Sequence, residues 1–153
     1  MAIQVLELHH HGIRVGPSKD DVARARKFYG DVLGLSHDPG RPEIPTIDGY
    51  WMDVGGTAQI HLMGVEGQSK FAKGPGKDPS LPHVALAVAD IQGARKELEG
   101  LGVEYWAAES VVGPQSLQLF LKDPFGNIIE LHQVDTCRCV TSRRPAVGAS
   151  KMA

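Results

Sequence analysis

Residues 3–15, IQVLELHHHGIRV, place three consecutive histidines in a stretch rich in branched apolar residues. Such a stretch reads as a β-strand, and a strand sends neighbouring side chains to opposite faces. His9, His10 and His11 therefore cannot all serve one purpose by strand alternation. A helical pattern follows in SKDDVARARKFYGDVLGL (18–35): Ser18 and Asp21 resemble a capping box, and Val22, Ala25, Tyr29, Val32 and Leu33 recur at helical spacing. Gly34 is a stop signal. PTIDGYWMDVG (45–55) and AQIHLMGV (58–65) read as strands joined by Gly55 and Gly56.

The order then repeats. EGQSKFAKGPGKDPS (66–80) is rich in Gly, Pro, Lys and Ser and reads as a linker. LPHVALAVA (81–89) is a strand, Asp90 an N-cap, and Ile91, Ala94, Leu98 and Leu101 one helical face that ends at Gly102. VEYWAAE, SLQLFLK and NIIELHQV complete the strands, the last two flanking a DPFG turn. His10 stands five residues before Val15, and His83 five before Val88. Strand-helix-strand-strand-strand, met twice, predicts an α+β fold with an internal duplication. Within one domain over 1–153, module one spans about 5–66, the linker about 67–80, module two about 81–134 and a flexible tail 135–153. The tail is read as flexible because it lacks periodicity.

The length of 153 residues suits one domain able to bury a core unaided. A net charge of −2 with no basic stripe argues against a nucleic-acid partner. No apolar run approaches the roughly 18 residues of a membrane span, and no secretory leader is visible. Cys137 and Cys139 are the only cysteines and make no disulfide framework, so a reducing cytoplasm is the expected location.

Four titratable positions stand inside apolar strands at matching ends of the two units: His10 or His11, His61, His83 and Glu130. A single strand histidine is ordinarily just hydrogen-bonded, and the case here is joint. A buried carboxylate needs a compensating charge. Three imidazoles and a carboxylate suit a divalent transition metal, Zn, Ni, Fe or Mn. His132 shares a face with Glu130, and with Cys137 and Cys139 it makes a weaker second metal set. Trp51 and Phe120 are core residues first, cleft residues second.

The stretches HHGIRV, ARKFYGDVLGL, AQIHLMG, PHVALAVAD and FLKDPFGNIIEL, spread over about residues 8–134, resemble the vicinal oxygen chelate superfamily of glyoxalases, bleomycin- and fosfomycin-resistance proteins, methylmalonyl-CoA epimerase and extradiol dioxygenases. The resemblance implies two βαβββ modules forming a curled mixed sheet around a metal cleft, in a homodimer. It selects His10 as the first-strand ligand, with His9 and His11 on the opposite face, and adds His83 and Glu130. His61 falls where bacterial glyoxalase I carries Glu and methylmalonyl-CoA epimerase carries Gln. Glu130 would be both ligand and catalytic base, taking a proton beside a polarised carbonyl in enediolate chemistry on a small oxygen-chelating substrate. Arg14 matches an arginine that glyoxalase I turns toward glutathione, which makes it the substrate-binding candidate. Val65 stands where that enzyme has a glutathione-contacting Asn, so lactoylglutathione is one substrate among several. The implied function is a metal-dependent glyoxalase-like lyase or isomerase. The alternatives are an Fe(II) dioxygenase on His10, His83 and Glu130 with His61 unbound, a thiol transferase, and a metal-free drug-binding resistance protein.

Overall fold

The computed structural model describes residues 3–144. Strand β1 (Val5–Val15) leads into helix α1 (Lys19–Lys27), which ends in a π-helical turn over Phe28–Val32. Strands β2 (Asp48–Val54) and β3 (Ala58–Gly64) close the first half. The second half comprises β4 (His83–Val88), α2 (Ile91–Gly100), β5 (Tyr105–Glu109), β6 (Leu117–Lys122) and β7 (Ile128–Gln133). The seven strands form one open mixed sheet in the order β2-β3-β1-β4-β7-β6-β5.

Each half repeats one wiring. β1 runs parallel to β3, β4 runs parallel to β7, and β1 meets β4 antiparallel at the centre. The first strand of each half thus lies beside the last strand of the same half, and the two first strands lie beside each other. That places residues 10, 61, 83 and 130 around the middle of the sheet. The α+β class and the duplicated order agree with the sequence reading, but the first half lacks one strand. Its place is held by a single bridge between His37 and Met52. The cause lies in SHDPGRPEIPTI (36–47): Pro39, Pro42 and Pro45 have no N–H to give a ladder.

Ser18 caps α1 by accepting from the Asp21 backbone N–H at 3.0 Å. The apolar face expected for this helix is buried only at Val22; Val32 and Leu33 are exposed, because the wider π turn rotates them away from the sheet. In α2 three of the four expected positions pack, Ile91, Ala94 and Leu98 meeting Val88, Leu119 and Leu131, while Leu101 at the C-cap is exposed. Asp90 makes no side-chain cap; Gln133 of β7 accepts the Ile91 N–H instead, at 2.9 Å. In the DPFG turn Gly126 takes φ 88°, and Asp123 accepts from the backbone of Phe125 and Asn127.

The linker and the tail are more ordered than their composition suggests. Buried Asp78 gathers Ser69 and Ser80 through their backbone N–H and hydroxyl groups, at 2.6–2.9 Å. Residues 135–144, read from sequence as part of a flexible tail, strap across module one. Arg138 is buried and donates to both oxygens of Asp38 at 2.8 and 2.9 Å. Arg143 reaches Glu7, and Arg144 reaches Asp53 at 2.7 Å. Charge pairing orders a segment that has no apolar periodicity to announce it. Cys137 and Cys139 are joined as a disulfide within the strap. The rest of the expected tail lies outside the described residues. Among those described, no helix is long and apolar enough to cross a membrane.

Candidate metal centre

His10 on β1, His83 on β4 and Glu130 on β7 converge, all buried. Their ligand atoms lie within 4.8 Å of one another. Glu130 Oε1 is 3.5 Å from His10 Nε2 and 3.3 Å from His83 Nε2. The outer contacts orient these groups. His83 Nδ1 lies 2.7 Å from the Leu81 carbonyl, which keeps a proton on Nδ1 and turns Nε2 inward. Glu130 Oε2 accepts from His132 Nδ1 at 2.8 Å, leaving Oε1 for the centre. Gly12 makes room: a Cβ there would lie 2.7 Å from His83 Cε1 and 2.9 Å from Nε2.

Electrostatics follow from burial and proximity. Burial lowers the His10 pKa to about 4 despite the pull of Glu130. Burial pushes His83 down too, but its contacts with Glu130 and Leu81 outweigh that and raise it. Burial alone would raise Glu130; the surrounding imidazoles of His10, His132 and His83 hold it well below the usual carboxylate range. A buried ionised carboxylate among imidazoles calls for a compensating positive charge, which a divalent cation would supply. Two inward Nε2 atoms and one carboxylate oxygen, each with its far side engaged, fit such an ion.

His61 joins the cluster differently. Its ring stacks on His10 at 3.7 Å between centroids and on Trp51 at 4.4 Å. Its Nε2–H donates to Gln59 Oε1 at 2.8 Å, and the convergent ligand atoms do not include it. Burial first, then His10, keeps its pKa well below the ordinary value, so it is uncharged at neutral pH. Arg14 does not reach the cleft. It donates to the Ser80 carbonyl and hydroxyl at 3.0 and 2.9 Å and lies 3.7 Å from Asp78, so it anchors the linker.

His9 is the residue strand alternation missed, whereas His132 lies on the Glu130 face as alternation placed it. The β1–β4 register shifts between Leu8 and His10, a bulge that turns both His9 and His10 inward. His9 Nδ1 and His132 Nε2 share a hydrogen bond of 2.5 Å, and His9 Nε2 meets Glu7 at 2.7 Å. A line of hydrogen bonds therefore runs from Glu130 through His132 and His9 to Glu7 and Arg143 at the surface. The only sequence signal was the shared face of His132 and Glu130. The proposed His132, Cys137, Cys139 set is not seen as such; Cys137 lies near His9 and His132, and Cys139 Sγ is 3.5 Å from His10 Nδ1.

The centre opens into a cleft of about 1030 Å³. Trp51 and Phe120 both line it, Phe120 edge-on to His83 at 5.6 Å. On its wall Ser116 Oγ and Gln118 Oε1 are buried with no hydrogen-bond partner. A mostly apolar cleft with a few convergent polar groups is the usual form of a small-molecule site.

A methylmalonyl-CoA epimerase from Mycobacterium tuberculosis is similar at 26% identity and TM-score 0.62, over 87% of this chain and 91% of that one. A hypothetical protein from Bacillus halodurans is similar at 26% identity and TM-score 0.60, over 83% and 93%. A 2,3-dioxygenase from Pseudomonas shares the fold at 18% identity and TM-score 0.57, over 86% of this chain but 42% of that one. No curated protein matches significantly. The family model for the Glyoxalase/Bleomycin resistance protein/Dioxygenase superfamily matches residues 8–131, and the chain belongs to that superfamily.

Proposed function

We propose that the chain is a metal-dependent lyase or isomerase of glyoxalase type, acting on a small substrate with adjacent oxygens such as a 1,2-dicarbonyl or hydroxyacyl thioester. The observation that carries this reading is the convergence of His10 Nε2, His83 Nε2 and Glu130 Oε1 at the floor of a cleft. These three residues would hold the ion. A divalent ion held there supplies Lewis-acid polarisation of a substrate oxygen, worth several kcal/mol. Likeness to an epimerase along most of both chains supports proton-transfer chemistry.

Glu130 Oε1 is the proposed proton acceptor. His61, a fourth ligand in the sequence reading, is the neighbouring imidazole. His61 is uncharged, Gln59 fixes its proton on Nε2, and Nδ1 keeps its lone pair. Its stacking between His10 and Trp51 holds the ring beside the centre. Leu8, Phe28, Val32 and Leu33 expose apolar surface, which supports a homodimer.

One observation favours a second reading. With His61 Nε2 turned to Gln59, the remaining two histidines and one carboxylate are the ligand types of Fe(II) oxygenases. Exchange of substrate C–H for deuterium in D₂O and an oxygen electrode separate the two. The lyase or isomerase reading expects exchange without O₂ uptake, with Glu130→Gln slowing it by roughly 10²- to 10⁴-fold. O₂ uptake that requires added Fe(II) would replace it with the oxygenase.

A further inference from the structure

The cleft contains a cation that neither the metal centre nor the strap uses. Arg41 lies on the loop before β2 and lines the cleft, with its guanidinium carbon 6.0 Å from the Trp51 ring centroid. Its Nη2 donates to the Ile47 carbonyl at 2.9 Å and Nη1 to the Pro42 carbonyl at 3.4 Å. Its Nε is buried with no partner. Three other arginines around module one have carboxylates beside them: Arg138 pairs with Asp38, Arg144 with Asp53, and Arg14 lies near Asp78; Arg26 on α1, outside the cleft, meets His37 and the Tyr50 ring instead. Arg41 makes no ion pair among the described residues; Asp48 acts on it only at longer range. A half-buried guanidinium without a counter-charge has a strong claim on an incoming anion.

Its position defines that anion further. Arg41 lies over Trp51, Trp51 stacks on His61, and His61 stacks on His10. The guanidinium and the metal centre therefore sit at opposite ends of one row of rings, beside the apolar side chains of Ile47, Met63 and Phe71. Each Nη has donated one N–H to a carbonyl and keeps one more, and a planar pair of that kind matches a carboxylate.

We propose that Arg41 binds a carboxylate at the far end of the substrate, so that the substrate is an acid with chelating oxygens at one end, a carboxylate at the other and an apolar stretch between. The assignment rests on the metal-centre reading for the chelating end alone.

The test uses zinc-loaded full-length protein and straight-chain 2-oxo dicarboxylic acids of increasing length, each paired with its ω-methyl ester, titrated by calorimetry. In the wild type the free acid of best length should bind roughly ten- to hundredfold tighter than its ester. Arg41→Gln should bind acid and ester alike with unchanged zinc content, Arg41→Lys should retain part of the preference, and Arg14→Gln should retain all of it. Equal binding of acid and ester by the wild type overturns the assignment without reliance on any variant. So does a preference that survives Arg41→Gln, a preference abolished by Arg14→Gln, or failure of every acid to bind. If the wild type holds no zinc while simple monocarboxylates still bind through Arg41, the metal-centre reading fails and the anion site stands.

Discussion

Glu130 shows how single residues set the character of this site. It is buried and ionised, and each of its oxygens has a separate duty: Oε2 is held by His132 and Oε1 faces His10 and His83. Gly12 matters for the same geometry, because the His83 ring occupies the space a side chain would need. Gly12→Ala should therefore fold, displace His83 and weaken zinc affinity by about ten- to hundredfold, the range seen when ligand orientation is lost. Competition against a chromophoric chelator would measure it, and wild-type affinity in this variant would refute the packing argument. At this scale the sequence was informative for His10, His83 and Glu130, since polar groups inside apolar strands need a reason to be there. His9 was not legible: alternation assigned it to the opposite face, and the bulge between Leu8 and His10 leaves no mark in a run of branched residues and histidines. The contacts of Arg14 were not legible, because Ser80 and Asp78 come to meet it from the linker.

The strap over 135–144 is the element that departs most from its sequence. Its anchor is the Asp38–Arg138 pair, with side chains 0% and 8% exposed. Burial works against the Asp38 charge, yet the Arg138 and Gly40 contacts hold its pKa below the ordinary value. A depressed carboxylate pKa adds stability that is complete above the unfolded value near 3.9 and is lost as pH falls through the folded value. Asp38→Asn should thus cost about 3 kcal/mol at pH 7, since it takes the negative charge away from a buried guanidinium. Urea denaturation should show the gap to the wild type narrowing once the pH drops below about 4. A gap that persists at low pH would mean the strap is held by something other than this pair. Helices and strands were readable from spacing, but pairing between Asp38 and Arg138, 100 residues apart, has no local signature. The missing strand of module one was readable in principle from Pro39, Pro42 and Pro45.

For the molecule as a whole, duplication accounts for the site. Two copies of one wiring, joined through antiparallel β1 and β4, bring the inner strands of both halves to one place. Both halves are needed: His10 comes from one, His83 and Glu130 from the other. The repeat of strand and helix patterns made this architecture visible in the sequence, whereas the bond that turns His61 Nε2 toward Gln59 was not, because it depends on where Gln59 points. The most direct test is the metal content, by elemental analysis, of wild-type protein and of His10→Ala, His61→Ala, His83→Ala and Glu130→Ala after dialysis against zinc. The account predicts about one ion per chain in the wild type and in His61→Ala, and a large loss in the other three. A wild type that retains no ion, or a His61→Ala protein as depleted as Glu130→Ala, would contradict it.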